Sequence, residues 1–426
     1  MIKRPRGASG TDSMAGRAMD EMNSINWKTN FIVIWISQLL SLAGFFFALP
    51  FGPYYIQELG VHDPARIKFW VALFGAGPPL TLAIFSPIWG VLADRFGRRP
   101  MLLRANFGAA LVLCAMSLVP NVETLIILRL VQGALSGTMV AAQAMVAAYT
   151  PARRSGMALG SLSAAVYSGG MAGTFLGGVF AEYFGYRLVF LASAVLLLIS
   201  GLLIVLGTRE NFVRPPADQA ASGKAFKKPF YALRHVWPIL ILVAAMGFAR
   251  QFETSFFPLL IQGMLGTLQG AAFWTGTLSA IASAAGFLAG IVFGRLADHF
   301  PPPRIAQISA VIAGLFMFFH GLAPTFLFIS VARFGMTFCA GGLDPLFQTW
   351  LAKETPPEKR GAVFGWSATA RSTGWFLAPL MSGLVAAGYG IRAIYFSGMF
   401  LYIGLLPLIA WVVKQLAADN ISDPIG

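Results

Sequence analysis

The chain has 426 residues, of which 57% are hydrophobic and only 11% charged, with a formal net charge of +14. A soluble domain carries about 25% charged residues, so charge this scarce excludes a water-facing surface over most of the chain and makes lipid its solvent. Nucleic-acid binding, the rival reading of a basic chain, is set aside because the basic residues are spread over short loops between apolar runs.

In chain order, residues 1–27 are polar and mixed in charge and read as a cytoplasmic tail without a cleavable leader. Crossing a hydrocarbon core takes about 20 apolar residues as helix. Segments of that kind fall near 30–52, 69–92, 101–120, 124–149, 157–181 and 188–207, and again near 236–262, 271–296, 305–323, 325–351, 361–387 and 392–413. The expected fold is an all-α membrane protein of about twelve transmembrane helices. Residues 28–207 form an N-terminal six-helix bundle, 208–235 a Pro-rich basic linker, 236–414 a C-terminal six-helix bundle and 415–426 a short tail.

The two bundles are copies. Gly90–Asp94 (GVLAD) returns as Gly294–Asp298 (GRLAD) 204 positions on, and Arg129 returns as Arg333 at the same offset. Pro53-Tyr-Tyr-Ile-Gln57 returns as Pro258-Leu-Leu-Ile-Gln262, and Gly156–Gly160 as Gly361–Gly365, both offset by 205. Parallel repeats of this kind place a binding site between them and move one against the other.

Lysine and arginine orient the chain. Twenty-three lie in the termini and the loops on their side, against Arg66, Lys68, Arg187 and Arg392 on the other. Positive loops stay cytoplasmic, so both termini are expected in the cytoplasm, in a multi-pass protein of the inner membrane. The remaining four, Arg129, Arg250, Arg333 and Arg371, fall inside spans.

Three motifs carry more than topology. Gly90-Val-Leu-Ala-Asp94-Arg95-Phe-Gly97-Arg98-Arg99 joins spans two and three, with a weaker echo at Asp298. It resembles the loop signature of the major facilitator superfamily. Asp94 ends a helix, where the backbone dipole is already negative. It is expected to seek another helix's N-terminus, such as that near Gly361, and to act as a conformational gate. In span four, Arg129-Leu-Val-Gln132-Gly133-Ala-Leu-Ser-Gly137 resembles a signature of proton-coupled members, and helical spacing puts Arg129, Gly133, Ser136, Val140 and Gln143 on one face. In span five, Gly169, Gly173, Gly177 and Gly178 resemble the glycine array of superfamily exporters, with Thr174 where that array has proline. Glycines there let another helix approach closely.

From about residue 26 onward the chain resembles a bacterial drug:proton antiporter of this superfamily. The resemblance implies proton-driven export of small molecules, drugs or organic anions such as a siderophore-like metabolite, by alternating access. Proton-coupled import of a small polar metabolite is the competing reading. The expected partners are a small-molecule substrate, protons and the bilayer, and the expected state is a monomer. No cofactor, metal or enzymatic activity is expected. Cys114 and Cys339 are far apart within spans, and the four histidines are scattered through loops and span ends.

Proton coupling needs a carboxylate whose charge alternates with its surroundings. Glu253 and Asp344 are the only acids deep inside spans. Arg250 and Glu253 are spaced i, i+3 and are expected to share a face, either as a static pair or as part of the coupling site. Asp344 shares a face with Arg333 and Gln348 and has no neutralising neighbour along its own helix. Four arginines against two acids suggest a net-positive cavity lined by Arg129, Gln132, Gln143, Arg250, Arg333, Gln348 and Arg371, with Arg371 the best candidate to touch an anionic substrate.

Overall fold

The computed structural model describes residues 27–212, 229–355 and 360–422; the side chains of Asp94, Asp298 and several other helical residues lie outside that description. Fifteen helices build the described residues. They are α1 (Trp27–Ala48), α2 (Gly52–Glu58), α3 (Pro64–Phe96), α4 (Arg98–Ser117), α5 (Val122–Leu135), α6 (Thr138–Tyr149), α7 (Ala152–Phe184) and α8 (Tyr186–Gly207) in the first half. The second half holds α9 (Pro229–Gln251), α10 (Phe257–Leu265), α11 (Ala271–His299), α12 (Pro302–Leu322), α13 (Phe326–Lys353), α14 (Arg360–Tyr389) and α15 (Ile391–Ser422). Among the described residues, ten spans are long and apolar enough to cross a membrane, and Val236–Gln251 is a shorter apolar helix. The last helix runs to Ser422, past the boundary expected at 414.

Three spans are broken where continuous helices were expected. Span one breaks at Leu49–Phe51, just before Pro53, and span seven breaks between Gln251 and Phe257, just before Pro258. Proline lacks the N–H that a continuing helix would use, so the repeated Pro-x-x-Ile-Gln motif starts a new helix in each half. Span four breaks at Ser136–Gly137, where Gly137 has φ +121°. The break overturns the expected single face. Arg129 before it is buried, whereas Val140 and Gln143 after it are exposed.

The repeat is visible in packing. Within the first half α1 lies on α7 and α4 on α8; within the second, α9 lies on α14 and α12 on α15. Glycine sets the closest approaches. A Cβ at Gly169 would stand 2.5 Å from the Leu39 carbonyl oxygen, and one at Gly374, 205 positions on, would stand 2.3 Å from that of Ala244. Gly173 and Gly177 continue the row against the carbonyls of Ala43 and Phe47. The glycine array therefore binds α7 to α1. Thr174 leaves α7 unbroken over its 33 residues and turns its hydroxyl back to the Gly170 carbonyl, 2.8 Å away.

The halves meet through α3 against α14 and α7 against α11. Contact is tight at the end distal from both termini. A Cβ at Gly178 would lie 2.7 Å from the Ala272 oxygen, and one at Gly276 would lie 2.4 Å from the Thr174 oxygen. Toward the terminal end the same four helices separate. A Cβ at Gly90, Gly160, Gly290, Gly294 or Gly365 would meet nothing within 4 Å. The molecule is sealed at one end and splayed at the other.

Candidate functional site

The seal is built by the repeated motif. The Tyr54 hydroxyl donates across the interface to the Pro258 carbonyl at 2.7 Å and lies 2.7 Å from the Thr275 hydroxyl. Gln57 and Gln262, at equivalent positions of the two copies, exchange amide hydrogen bonds of 2.9 and 2.8 Å. At the side of the same end, Glu182 accepts from the Gly270 backbone N–H at 2.7 Å.

Next to the seal lies the first ion pair. Glu253 sits in the break before α10, 3% exposed, and Arg333 of α13 donates to both its carboxylate oxygens at 3.2 and 3.1 Å. The Arg333 guanidinium also lies 3.5 Å from the centre of the Phe257 ring. The expected pairing of Glu253 with Arg250 does not occur. Span seven breaks between them, so the i, i+3 face that would have joined them does not continue to Glu253.

The second ion pair is central and partly open. Arg371 of α14 donates to Asp344 of α13 at 3.1 and 2.9 Å, with side-chain exposures of 27% and 22%. Asp344, without a partner along its own helix, and Arg371, expected to stand free, thus neutralise each other across two helices. Arg250 lies in the field of the same Asp344 and beside the Tyr167 hydroxyl of the first half. This cluster holds two guanidinium groups to one carboxylate, so a positive excess survives the pairing. Closer to the splayed end the Gln348 amide donates to Ser367 at 3.0 Å.

Arg129 has a different occupation. Its Nε and Nη2 both donate to the Phe74 carbonyl at 3.1 Å, its Nη1 donates to Gln132, and its charge lies 4.1 Å from the Phe74 ring centre. Phe74 stands four residues before Pro78, which cannot return a backbone hydrogen bond to it. Arg129 fills the acceptor that the proline leaves open, and Gly133 lets α5 come within van der Waals reach of that bend, a Cβ there falling 2.3 Å from the Pro78 oxygen. This site braces span two against span four.

The signature loop is held by the segment after α8. Glu210 accepts from the backbone N–H groups of Arg98 and Arg99 at 2.8 and 2.7 Å, capping the N-terminus of α4, while the Arg99 side chain reaches Thr208 and the Val205 carbonyl. An acid at a helix N-terminus is stabilised by the orphan N–H groups and the dipole. Gly97 makes the turn at φ +96°, and Arg95 at the end of α3 is exposed. The partner expected for Asp94, like Asp298, lies outside the described side chains.

Two residues escaped sequence reasoning. Arg104 lies within α4, its charge 3.5 Å from the centre of the Trp89 ring, and donates to the Ser136 carbonyl at the break of span four. Its place one turn beyond Pro100, near the start of a helix that begins at Arg98, was the available signal. His320 is fully buried, where the sequence marked it only as a residue at a span end.

Comparison with known proteins agrees with this architecture. The profile of the Major Facilitator Superfamily matches residues 34–319 and 254–421. Multidrug resistance protein MdtG of Salmonella choleraesuis (strain SC-B67) is 32% identical over 375 residues, covering 87% of this chain and 92% of that protein. MdtG of Proteus mirabilis (strain HI4320) is 29% identical over 382 residues, covering 89% and 95%. Among solved structures, the nucleoside transporter NupG superposes with a TM-score of 0.75 at 13% identity, over 90% of this chain and 99% of that one. The human organic anion transporter MFSD10 superposes with a TM-score of 0.67 at 15% identity, over 90% and 99%. With two repeated six-span halves, a sealed end and a splayed end, and these matches over most of its length, this multi-pass membrane chain, a transporter and not an enzyme, belongs to the Major Facilitator Superfamily.

Proposed function

We propose that this chain is a proton-coupled exporter of small molecules from the cytoplasm, with an anionic or zwitterionic preference, working by alternating access. The observation that carries the reading is the separation of the two acids. Glu253 is buried beside the sealed end, whereas Asp344 is partly open between the halves. Glu253 takes the role of proton carrier and the Asp344, Arg250 and Arg371 cluster that of substrate contact. Multidrug resistance in the names of the relatives supports export of drug-like molecules. With both termini in the cytoplasm, as the basic loops imply, the splayed end faces the cytoplasm and this is the state that loads an exported substrate.

Contacts around Glu253 support a link from proton to gate. Arg333 is held by Glu253 and lies on Phe257, whose neighbour Pro258 accepts the Tyr54 hydroxyl that seals the halves. Protonating Glu253 removes the charge that holds Arg333, loosens the start of α10 and weakens the seal. Substrate and proton then bias one two-state element, as coupling requires.

Reconstituted protein with an imposed pH gradient tests this. Glu253→Gln should abolish gradient-driven movement while leaving binding of a fluorescent organic anion such as carboxyfluorescein intact. Asp344→Asn should alter which probes bind while transport of those still bound remains pH-driven. Import instead of export in oriented vesicles, or full coupling in Glu253→Gln, would overturn the reading.

A further inference from the structure

The Glu253–Arg333 pair is not isolated. Beside it stand His320 of α12, with neither ring nitrogen hydrogen-bonded among the described residues, and Tyr395 of α15, whose hydroxyl has Glu253 beside it and no other partner among them. Both are fully buried. The His320 and Tyr395 rings lie 4.6 Å apart, and the edge of His320 meets Phe257 at 5.7 Å, the ring that carries Arg333. Arg333 keeps one donor, Nε, without a partner. Unpartnered polar groups deep in a protein are rare and each needs a reason. Here they are contiguous, and they adjoin Glu253, the one carboxylate buried at the seal among the described residues.

We propose that His320 and Tyr395 form a proton relay that loads Glu253 from the distal side. This rests on the assignment of Glu253 as proton carrier. His320 stands at the distal end of α12, where Arg392 donates to the Gly321 and Ala323 carbonyls at 3.3 and 3.5 Å. Beyond it comes Tyr395, and Glu253 is among the charged groups nearest that tyrosine. The charged and titratable groups beside His320 are Arg333 from α13 and Tyr395 from α15; Arg392 of α15 binds the carbonyls that follow it, and Glu253, from the turn before α10, pairs with that Arg333. Tyr54 of the first half and Tyr402 lie close to the same cluster.

The transfer balances without a further reactant. A proton from distal water binds one nitrogen of His320, giving imidazolium. Once ring motion brings the two within hydrogen-bond reach, the other imidazole N–H proton passes to the Tyr395 oxygen as the Tyr395 hydroxyl proton passes to a Glu253 oxygen. Imidazole and phenol end neutral and the carboxyl is protonated. Imidazole suits the first station because it exchanges protons near neutral pH and presents two nitrogens. The relay governs the rate of protonation and leaves its equilibrium to Glu253.

The experiment follows opening of the distal end after a pH drop from about 8 to about 6, a window that spans the ordinary imidazole range. A fluorescent label on Leu268→Cys, with Cys114 and Cys339 replaced by serine, reports opening in the full-length reconstituted protein. His320→Gln and Tyr395→Phe should slow opening by about a hundredfold, the lower end of the range for loss of a proton-transfer group, with unchanged final amplitude and melting temperature. Glu253→Gln should remove the amplitude itself. Wild-type rates in both relay variants overturn the relay and leave Glu253 as carrier. Reduced amplitude with a lowered melting temperature in Tyr395→Phe, which loses a single oxygen, also overturns it, because that is the signature of packing. Full amplitude in Glu253→Gln overturns the carrier assignment and the relay together.

Discussion

Gln57 and Gln262 occupy the same position in the two copies of one motif, and each donates its amide hydrogen to the other's oxygen, at 2.9 and 2.8 Å. A residue near a two-fold axis meets its own symmetry mate, so one duplicated glutamine supplies both halves of a self-complementary clasp. The clasp crosses the closed distal end, so opening that end has to break it. Gln57→Ala or Gln262→Ala should shift the closed–open balance toward distal opening by roughly thirtyfold, taking about 1 kcal/mol for each of the two bonds lost. Spin-label distances between His62→Cys and Leu268→Cys check this. The double variant should open no further than either single, because each change removes the same pair of bonds.

Arg129 braces a proline bend, and its replacement should be felt as lost stability before lost affinity. Arg129→Ala leaves the Phe74 carbonyl buried and unsatisfied, costing about 1–3 kcal/mol. Arg129→Lys should not rescue it, because an ammonium lacks the planar fork that holds Phe74 and Gln132 together. Melting of the purified protein with and without a bound probe separates the two effects. A stable Arg129→Ala protein with weakened binding would return Arg129 to the substrate cavity.

Gly173 should tolerate no side chain. Its added Cβ would stand 2.3 Å from the Ala43 carbonyl oxygen, which is backbone and cannot rotate away. Gly173→Ala should cost about 1–3 kcal/mol and lower the yield of folded protein. Gly160→Ala, with open space around the new methyl, is the control expected to behave as wild type in this conformation.

Arg371→Ala should weaken binding of an anionic probe more than that of a neutral analogue. The effect is expected to be smaller than for a free guanidinium, because Arg250 remains and Asp344 loses a partner. Titration of matched anionic, neutral and cationic probes reads the outcome. A preference for cations, unchanged by the substitution, would leave a general drug-binding cavity instead of an anion site.

Glu210→Gln should slow turnover with little change in probe affinity. It removes the carboxylate that caps α4 beneath the signature loop, where a cap and dipole interaction is worth about 1 kcal/mol. Equal losses of rate and affinity would argue that the loop does not act on the conformational balance.

The sequence by itself determined the solvent, the duplication and the chemistry on hand. Scarce charge demanded lipid, and runs of apolar residues counted the spans. A constant offset of about 204 exposed the repeat, and an arginine or acid within a span had to be paired or used. It also located the three glycine approaches of α7, because small residues at helical spacing are legible as a face. The tertiary structure alone decided which groups meet. Periodicity reports the face a residue occupies but not the helix opposite it. Glu253 therefore looked toward Arg250, three positions away, and is held by Arg333, 80 positions away. Arg371 looked free and is paired with Asp344. The breaks at Ser136–Gly137 and before Pro258 decided the rest, since a helix interrupted there turns each later side chain onto a new face. In lipid a charge must find a partner; the sequence states that need, and only the packed helices state who meets it.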